Sequence, residues 1–277
     1  MEDIFSMKHL KNIVKPYIVW AAIMIVIPLL LTILYAFTID GNNLVNIKFS
    51  LDNFKRFSDP VYGSVFVKSF ALGIYTTAIC FFLGYPLAYG ITKFKESVQN
   101  ILILFVTIPM WINMLLRTYA WISILSQNGL LNKLLNALGL KSLDIMYTDT
   151  AVLIGLVCNF LPLMVIPIHT SLCKMDKTLI EAAQDLGANN FQTFIHVTFK
   201  MSLPGVVNGV LIVFLTTISS FIIPKLLGGG QYMLIGNLIE TQFLHVMDWN
   251  FGSAISLILI VIILVIIRIL NKFDLDN

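Results

Sequence analysis

Residues Lys174–Lys200 read KMDKTLIEAAQDLGANNFQTFIHVTFK. Leu179, Ala182, Ala183 and Leu186 recur at helical spacing and form one apolar stripe, with Glu181, Gln184 and Asp185 on the other face. Gly187 ends that helix, because glycine enters the left-handed conformation without a Cβ penalty. Asn189 or Asn190 can cap a second helix, which carries Phe191, Phe194, Ile195 and Thr198 on one side. The expectation is a short helix, a glycine turn and another short helix lying at a membrane surface. On periodicity alone, an ordinary amphipathic connector fits as well.

Outward from this segment the charges vanish. Six stretches lack Asp, Glu, Lys and Arg: Pro16–Ile39, Ser69–Thr92, Ser97–Leu116, Thr150–Cys173, Met201–Pro224 and Trp249–Ile267. A helix of roughly 20 residues crosses a hydrocarbon core about 30 Å thick. Helix is forced there, since unpaired backbone amides in lipid cost several kcal/mol each. Composition agrees. Of 277 residues 58% are hydrophobic and 12% charged, about half the charge of a soluble domain. A soluble enzyme and a disordered chain are both excluded.

Two further apolar runs are too short and broken to span: Thr118–Asn132, interrupted by Gln127–Gly129, and Leu226–Ile239, which contains Gly228–Gly230. Each reads as an interfacial or re-entrant piece. Lys8, Lys11 and Lys15 precede the first run as in a signal peptide. Its apolar part, Tyr17–Phe37, is too long for one and has no small-residue cleavage site, so it reads as a retained span. Tyr17, Trp20, Tyr35, Trp121, Tyr147 and Trp249 fall near proposed span ends, where amphipathic rings prefer the interface. The chain divides into 1–64 (first span and outer loop), 65–271 (five-helix core) and 272–277 (tail). With both termini cytoplasmic, the inner segments carry ten Lys and Arg against eight outside, on shorter loops. That bias places 174–200 inside.

Chemistry of other kinds is missing from the sequence. The net charge of +3 includes no basic run that suggests nucleic acid. Cys80, Cys158 and Cys173 lie in apolar runs without a CxxC pair and read as small buried hydrophobes. His9, His169, His196 and His245 are scattered and form no metal set. There is no GxxxxGK[ST], HExxH or GxSxG, and Gly228–Gly230 is followed by Gln-Tyr-Met, which lacks the lysine and hydroxyl of a phosphate loop. The chain is expected to be non-catalytic.

The string EAAQDLGANNFQTFIHVTF with a following LPG resembles the EAA loop of binding-protein-dependent ABC importer permeases of the type I fold. The matching positions are Glu181, Ala182, Ala183, Gly187, Phe194, Val197, Pro204 and Gly205; Lys200 stands where the family often has proline. The resemblance implies an all-α membrane protein of six transmembrane helices in a bacterial inner membrane. It also implies ATPase coupling through Glu181, Ala182, Ala183 and Gly187. Implied partners are two ATPase subunits holding ATP and Mg, a second related permease and an extracytoplasmic substrate-binding protein.

Leu51–Tyr62, Leu83–Lys93, Ile108–Trp121 and Leu234–Ala254 further resemble segments of the spermidine/putrescine permeases, which implies polyamine import. A flexible polycation calls for acids, carbonyls or aromatic faces. None of the six runs holds an acid, so the pathway candidates are Trp111, Tyr119, Trp121, Glu240 and Asp248, with Tyr85 and Tyr89 as further aromatics. Belt, packing and solvated-loop roles stay open for all of them. Arg117 would repel such a cargo unless paired, with Glu240, Asp248 or a backbone carbonyl as partner. Pro86, Pro109, Pro162 and Pro167 are expected to kink their helices, while Asn113 and Asn159 can hydrogen-bond between helices. Other cargo (an opine, thiamine or iron) and a self-contained secondary transporter are the alternatives.

Overall fold

The computed structural model describes residues 2–39, 48–176, 178–230 and 232–275. Lys177 of the loop and residues 276–277 of the tail lie outside the described residues. In chain order the elements are α1 (Glu2–Ala36), β1 (Thr38–Ile39), β2 (Lys48–Phe49), α2 (Asp52–Phe57), α3 (Pro60–Ile91), α4 (Glu96–Trp111), α5 (Met114–Leu125) and α6 (Leu130–Ala137). There follow α7 (Asp149–Lys174), α8 (Thr178–Asp185), α9 (Asn190–Thr193), α10 (Lys200–Ser219), α11 (Ile222–Leu227), α12 (Ile235–Thr241) and α13 (Trp249–Leu275). Two compact units result: Met1–Tyr62 with Ile239–Ile262, and Gly63–Leu238 with Ile263–Asn277.

Among the described residues, five helices are long and apolar enough to cross a membrane: Val14–Ala36, Pro60–Ile91, Asp149–Lys174, Asn190–Ser219 and Trp249–Ile269. The sixth expected span is broken. Glu96–Trp111 and Met114–Ala137 meet at 92°, so the charge-free run Ser97–Leu116 is not one straight helix. Pro109 supplies no amide to the last turn of α4. Ile112 and Asn113 are then extended, and the Asn113 side chain accepts from Leu115 N at 2.8 Å, starting α5 afresh. Asn113 is thus a helix cap rather than an interhelical bridge. Six spans result when this bent pair is taken as one.

In the smaller unit, the first apolar run stops being helical at Ala36. Thr38 and Ile39 pair antiparallel with Phe49 and Lys48. The Asn53 amide donates to Ala36 O and Thr38 O, and Asn250 donates to Tyr35 O, Thr38 O and Thr38 Oγ1. Carbonyls left over at the end of α1 are satisfied by side chains, as a buried helix end requires.

The larger unit is organised by α7 against α10. Gly205 and Gly209 face α7, four residues apart. A Cβ at Gly205 would sit 2.5 Å from Pro167 O and from Ser171 Cβ, and one at Gly209 2.8 Å from Met164 Sδ. Small residues at this spacing let two backbones approach in a membrane, where association rests on close packing. The core around this contact contains Met164, Val165, Ile168, Val206 and Val213, joined by Cys80, Tyr85 and Ala88 of α3. A second cluster joins Leu72, Leu125, Val152, Leu156, Ile223 and Leu227.

Two expectations change. The helix starting at Asn190 is not a separate short piece. It continues through a π-helical turn, Phe194–Phe199, into α10, because neither Gly nor Pro occurs between its cap and Lys200. Cys80 is buried and Cys158 half-buried, but Cys173 is exposed, 3.4 Å from both Gln99 Oε1 and His169 Nε2. Cys173 sits in the last turn of α7, where the helix leaves the packed bundle.

Candidate functional site

The loop after α7 is built by local hydrogen bonds. Met175 is extended and ends α7. Thr178 N–H donates to Asp176 Oδ1 at 3.0 Å and opens α8. The backbone and hydroxyl of Thr178 together hold the Asp176 carboxyl below the usual carboxylate range. At the other end, Gly187 N–H donates to Gln184 O and Ala188 N–H to Ala183 O, with Gly187 at φ +88°. This pair of bonds is the Schellman closure, in which the residue after the cap must be left-handed. The interval from the second alanine of EAA to its glycine is therefore the length of one helix C-cap. Asn189 and Gln192 next form a reciprocal capping box, fixing Asn189 as the cap.

The structure shows which face of α8 packs. Leu179 is 42% and Leu186 90% exposed, and Ala182 is exposed beside them, while Ile180 and Ala183 are half-buried. Phe191, at 71%, extends the exposed apolar surface past the turn. Glu181 and Gln184 instead line a cavity of about 410 Å³ with Tyr89, Thr92, Lys93, Leu172, Met175 and Thr198. Leu179, Ala182 and Leu186 of the stripe thus face away from the bundle, and Ile180 with Ala183 takes the inward position.

An aromatic cluster joins this loop to α3. Tyr85 packs on Phe194 and Phe199, with ring centroids 5.9 and 5.5 Å apart, and Tyr89 meets Phe194 edge-on at 5.2 Å. Tyr85 Oη and Ser202 Oγ are 2.9 Å apart, closing the polar end of a ring that is 5% exposed. Tyr85 thus sits in loop packing, while Tyr89 lines the cavity beside Phe194. The tyrosines are four residues apart and fall on one helix face, but sequence spacing does not reveal which segment that face meets.

At the opposite end of this unit lies a larger cavity, about 750 Å³, lined by Lys68, Tyr147, Asp149, Lys225, Gly228–Gly230 and Tyr232 among others. Lys68 Nζ is 3.2 Å from Asp149 Oδ1 and 3.8 Å from the centroid of the Tyr232 ring. Burial and the hydrogen bond to Asp149 push the Tyr232 hydroxyl well up from its ordinary range. Gly229 and Tyr147 both have positive φ and lie in contact. The run Leu226–Ile239 is thus the end of α11, a glycine turn and the start of α12. Phe221 O accepts from Asn237, and Ser69 Oγ accepts from Ile235 N. Composition gave no hint of this Lys–Asp–Tyr cluster, whose members are far apart in sequence.

The pathway candidates fall in both units. Trp111 (78%) and Tyr119 (54%) are exposed, whereas Trp121 is half-buried against the cluster of Leu72, Leu125 and Ile223. Glu240 and Asp248 belong to the smaller unit. Arg56 Nη1 donates to Asp248 Oδ2 at 2.6 Å, and Asp248 Oδ1 accepts from Phe251 N–H, so Asp248 is a paired helix cap and not a free loop acid. Two guanidinium nitrogens of Arg117, Nε and Nη1, are buried without a hydrogen bond among the described residues.

The chain is 39% identical over 273 residues to a spermidine/putrescine transport system permease protein PotB of Salmonella typhimurium (strain SL1344), covering 95% of each chain. It is 38% identical over 263 residues to the Escherichia coli (strain K12) protein of that name, covering 91% of this chain and 96% of the relative. In fold it resembles a bacterial ABC transporter involved in the import of the acidic polysaccharide alginate, with TM-score 0.80, 18% identity, and coverage of 98% and 96% of the two chains. The type I importer permease fold is therefore present. Residues 80–274 match the family described as binding-protein-dependent transport system inner membrane component, and the chain belongs to that family.

Proposed function

We propose that this chain is one permease subunit of an ATP-driven importer that brings polyamines, spermidine or putrescine, into the cytoplasm. The observation that carries the cargo is the 39% identity, sustained over 95% of the chain, to a spermidine/putrescine permease. In this reading both termini are cytoplasmic, and 174–200 is the coupling loop, with Glu181, Ala182, Ala183 and Gly187 at its centre. Leu179, Ala182, Leu186 and Phe191 offer an apolar surface to the ATPase. Two ATPase subunits hold the ATP and Mg; a second permease completes the pathway, and an extracytoplasmic binding protein delivers the cargo. Supporting this are the outward stripe of α8 and the aromatic cluster that ties the loop to α3. Trp111 and Tyr119 are exposed rings available to a cation, and Trp121 is a packing residue. Glu240 stays a pathway candidate, while Asp248 is committed to Arg56.

The test is reconstitution of the complete transporter in vesicles with its binding protein. Spermidine or putrescine should stimulate ATP hydrolysis and accumulate inside. Stimulation by an unrelated solute alone would remove the cargo assignment, and a C-terminal tag reachable only from the outer side would overturn the orientation.

A further inference from the structure

The cavity under α8 holds two opposite charges that do not meet. Glu181 of α8 and Lys93, which follows α3, both line it, with Tyr89, Gln184, Met175 and Thr198 among the other lining residues. No ion pair within 4 Å joins Lys93 to Glu181 among the described residues. The Lys93 ammonium instead sits 4.3 Å from the centroid of the Tyr89 ring. That ring in turn meets Phe194, on the far side of the glycine turn.

α8 is bounded by backbone breaks at both ends, extended Met175 before it and left-handed Gly187 after it. It can therefore tilt as a rigid piece. Protein interiors are close-packed and transmit displacement, so a void between a helix and the span ends it must move is a place where motion is taken up. A cation over an exposed aromatic face and an exposed ion pair contribute similar small energies. Transfer of Lys93 from one partner to the other is therefore nearly balanced, and a modest push on α8 decides it.

We propose that Lys93 is the internal partner of Glu181, and that the two form an ion pair when α8 is pressed toward the ends of α3 and α7. The pair would lock the loop to α3 during the power stroke, with Lys93 acting as a positioning residue. This rests on the reading of 174–200 as the coupling loop.

The test uses the complete transporter in vesicles. Glu181→Lys and Lys93→Glu should each lower uptake about tenfold or more, the double charge swap should recover most of it, and Lys93→Arg should retain it, because residues in one pair are non-additive. Loss with Glu181→Lys but not with Lys93→Glu would overturn the proposal while leaving the coupling loop in place. So would a double swap that inserts in the membrane but stays inactive. Normal uptake in both single variants would sink both readings. As a second measurement, cysteines at 93 and 181, in a chain with its three native cysteines replaced, should be joined by a short bifunctional thiol reagent in the ATP–vanadate-trapped complex and not without nucleotide. Equal yields in both states would overturn the state dependence.

Discussion

Arg56 holds Asp248 across 192 positions of sequence, its Nη1 2.6 Å from Asp248 Oδ2. The guanidinium carbon also sits 4.2 Å from the centroid of the Phe251 ring, against which Tyr62 packs edge-on at 4.9 Å. Asp248 follows left-handed Met247, and its other oxygen caps the start of α13. One carboxylate thus fixes α2, the turn before α13 and the first turn of α13.

Substitutions here separate the charge from the cap. Asp248→Asn keeps an oxygen for the Phe251 amide and loses the ion pair, which is half-exposed at Arg56 and contributes about 0.2–1 kcal/mol. Asp248→Ala loses the cap as well, at a further cost of about 1 kcal/mol. Thermal unfolding in detergent should rank wild type above Asp248→Asn and Asp248→Ala lowest. Equal melting of the two variants would remove the cap from this account.

At Gly187 an added Cβ meets nothing within 4 Å, so any cost of substitution comes from its φ of +88° alone. The left-handed region costs an L-residue about 1–2 kcal/mol, less for Asn. Uptake should fall in the order Gly187, Gly187→Asn, Gly187→Ala, Gly187→Val, at unchanged membrane insertion. Full uptake in Gly187→Val would show that the turn is not needed for coupling.

The legible parts of the fold were those written in local sequence. Charge gaps located the spans, and Gly187 with Asn189 marked the turn, because solvation by lipid and helix capping act over a few residues. The bend at Ile112–Asn113 was less visible, since Pro109 is tolerated inside α4 and the break depends on Asn113 taking a cap position. The stripe of α8 did not say which face packs inward, and Ile180, outside that stripe, took the packed position with Ala183. Long-range pairs such as Arg56 with Asp248 and Lys68 with Asp149 leave no periodic signal at all. Nor could the roles of Tyr85 and Tyr89 be read before Phe194 and Phe199 were placed beside them.

Two glycines should respond in opposite directions to the same change. Gly205→Ala drives a Cβ to 2.5 Å from Pro167 O, a backbone atom that cannot rotate away. α7 and α10 must then separate, and overpacking of this kind costs about 1–3 kcal/mol. Gly90→Ala in α3 meets nothing within 4 Å and removes a flexible residue from a helix, a gain of about 0.5–1 kcal/mol. Melting temperature and yield of folded protein should drop for the first and hold or rise for the second. A neutral Gly205→Ala would contradict the close approach of the two helices.

The Tyr232 hydroxyl gives a dependence on alkaline pH with a definite sign. Its folded-state pKa lies above the ordinary value of 10.0, through burial first and then its hydrogen bond to, and repulsion from, Asp149. The folded state thus favours the neutral phenol. The contribution is fully present below the unfolded pKa and is lost as pH rises from about 10 toward the folded value. Tyr232→Phe should lower stability by about 0.5–1.5 kcal/mol near neutral pH, the value of a hydrogen bond, and should flatten the loss of stability above pH 10. If wild type and variant lose stability in parallel through that range, the phenol is not held by Asp149. Lys68→Ala is the companion measurement, since it removes the ammonium from both Asp149 and the Tyr232 ring. It should destabilise the same cluster at neutral pH without flattening the alkaline limb, because the phenol and its carboxylate partner remain.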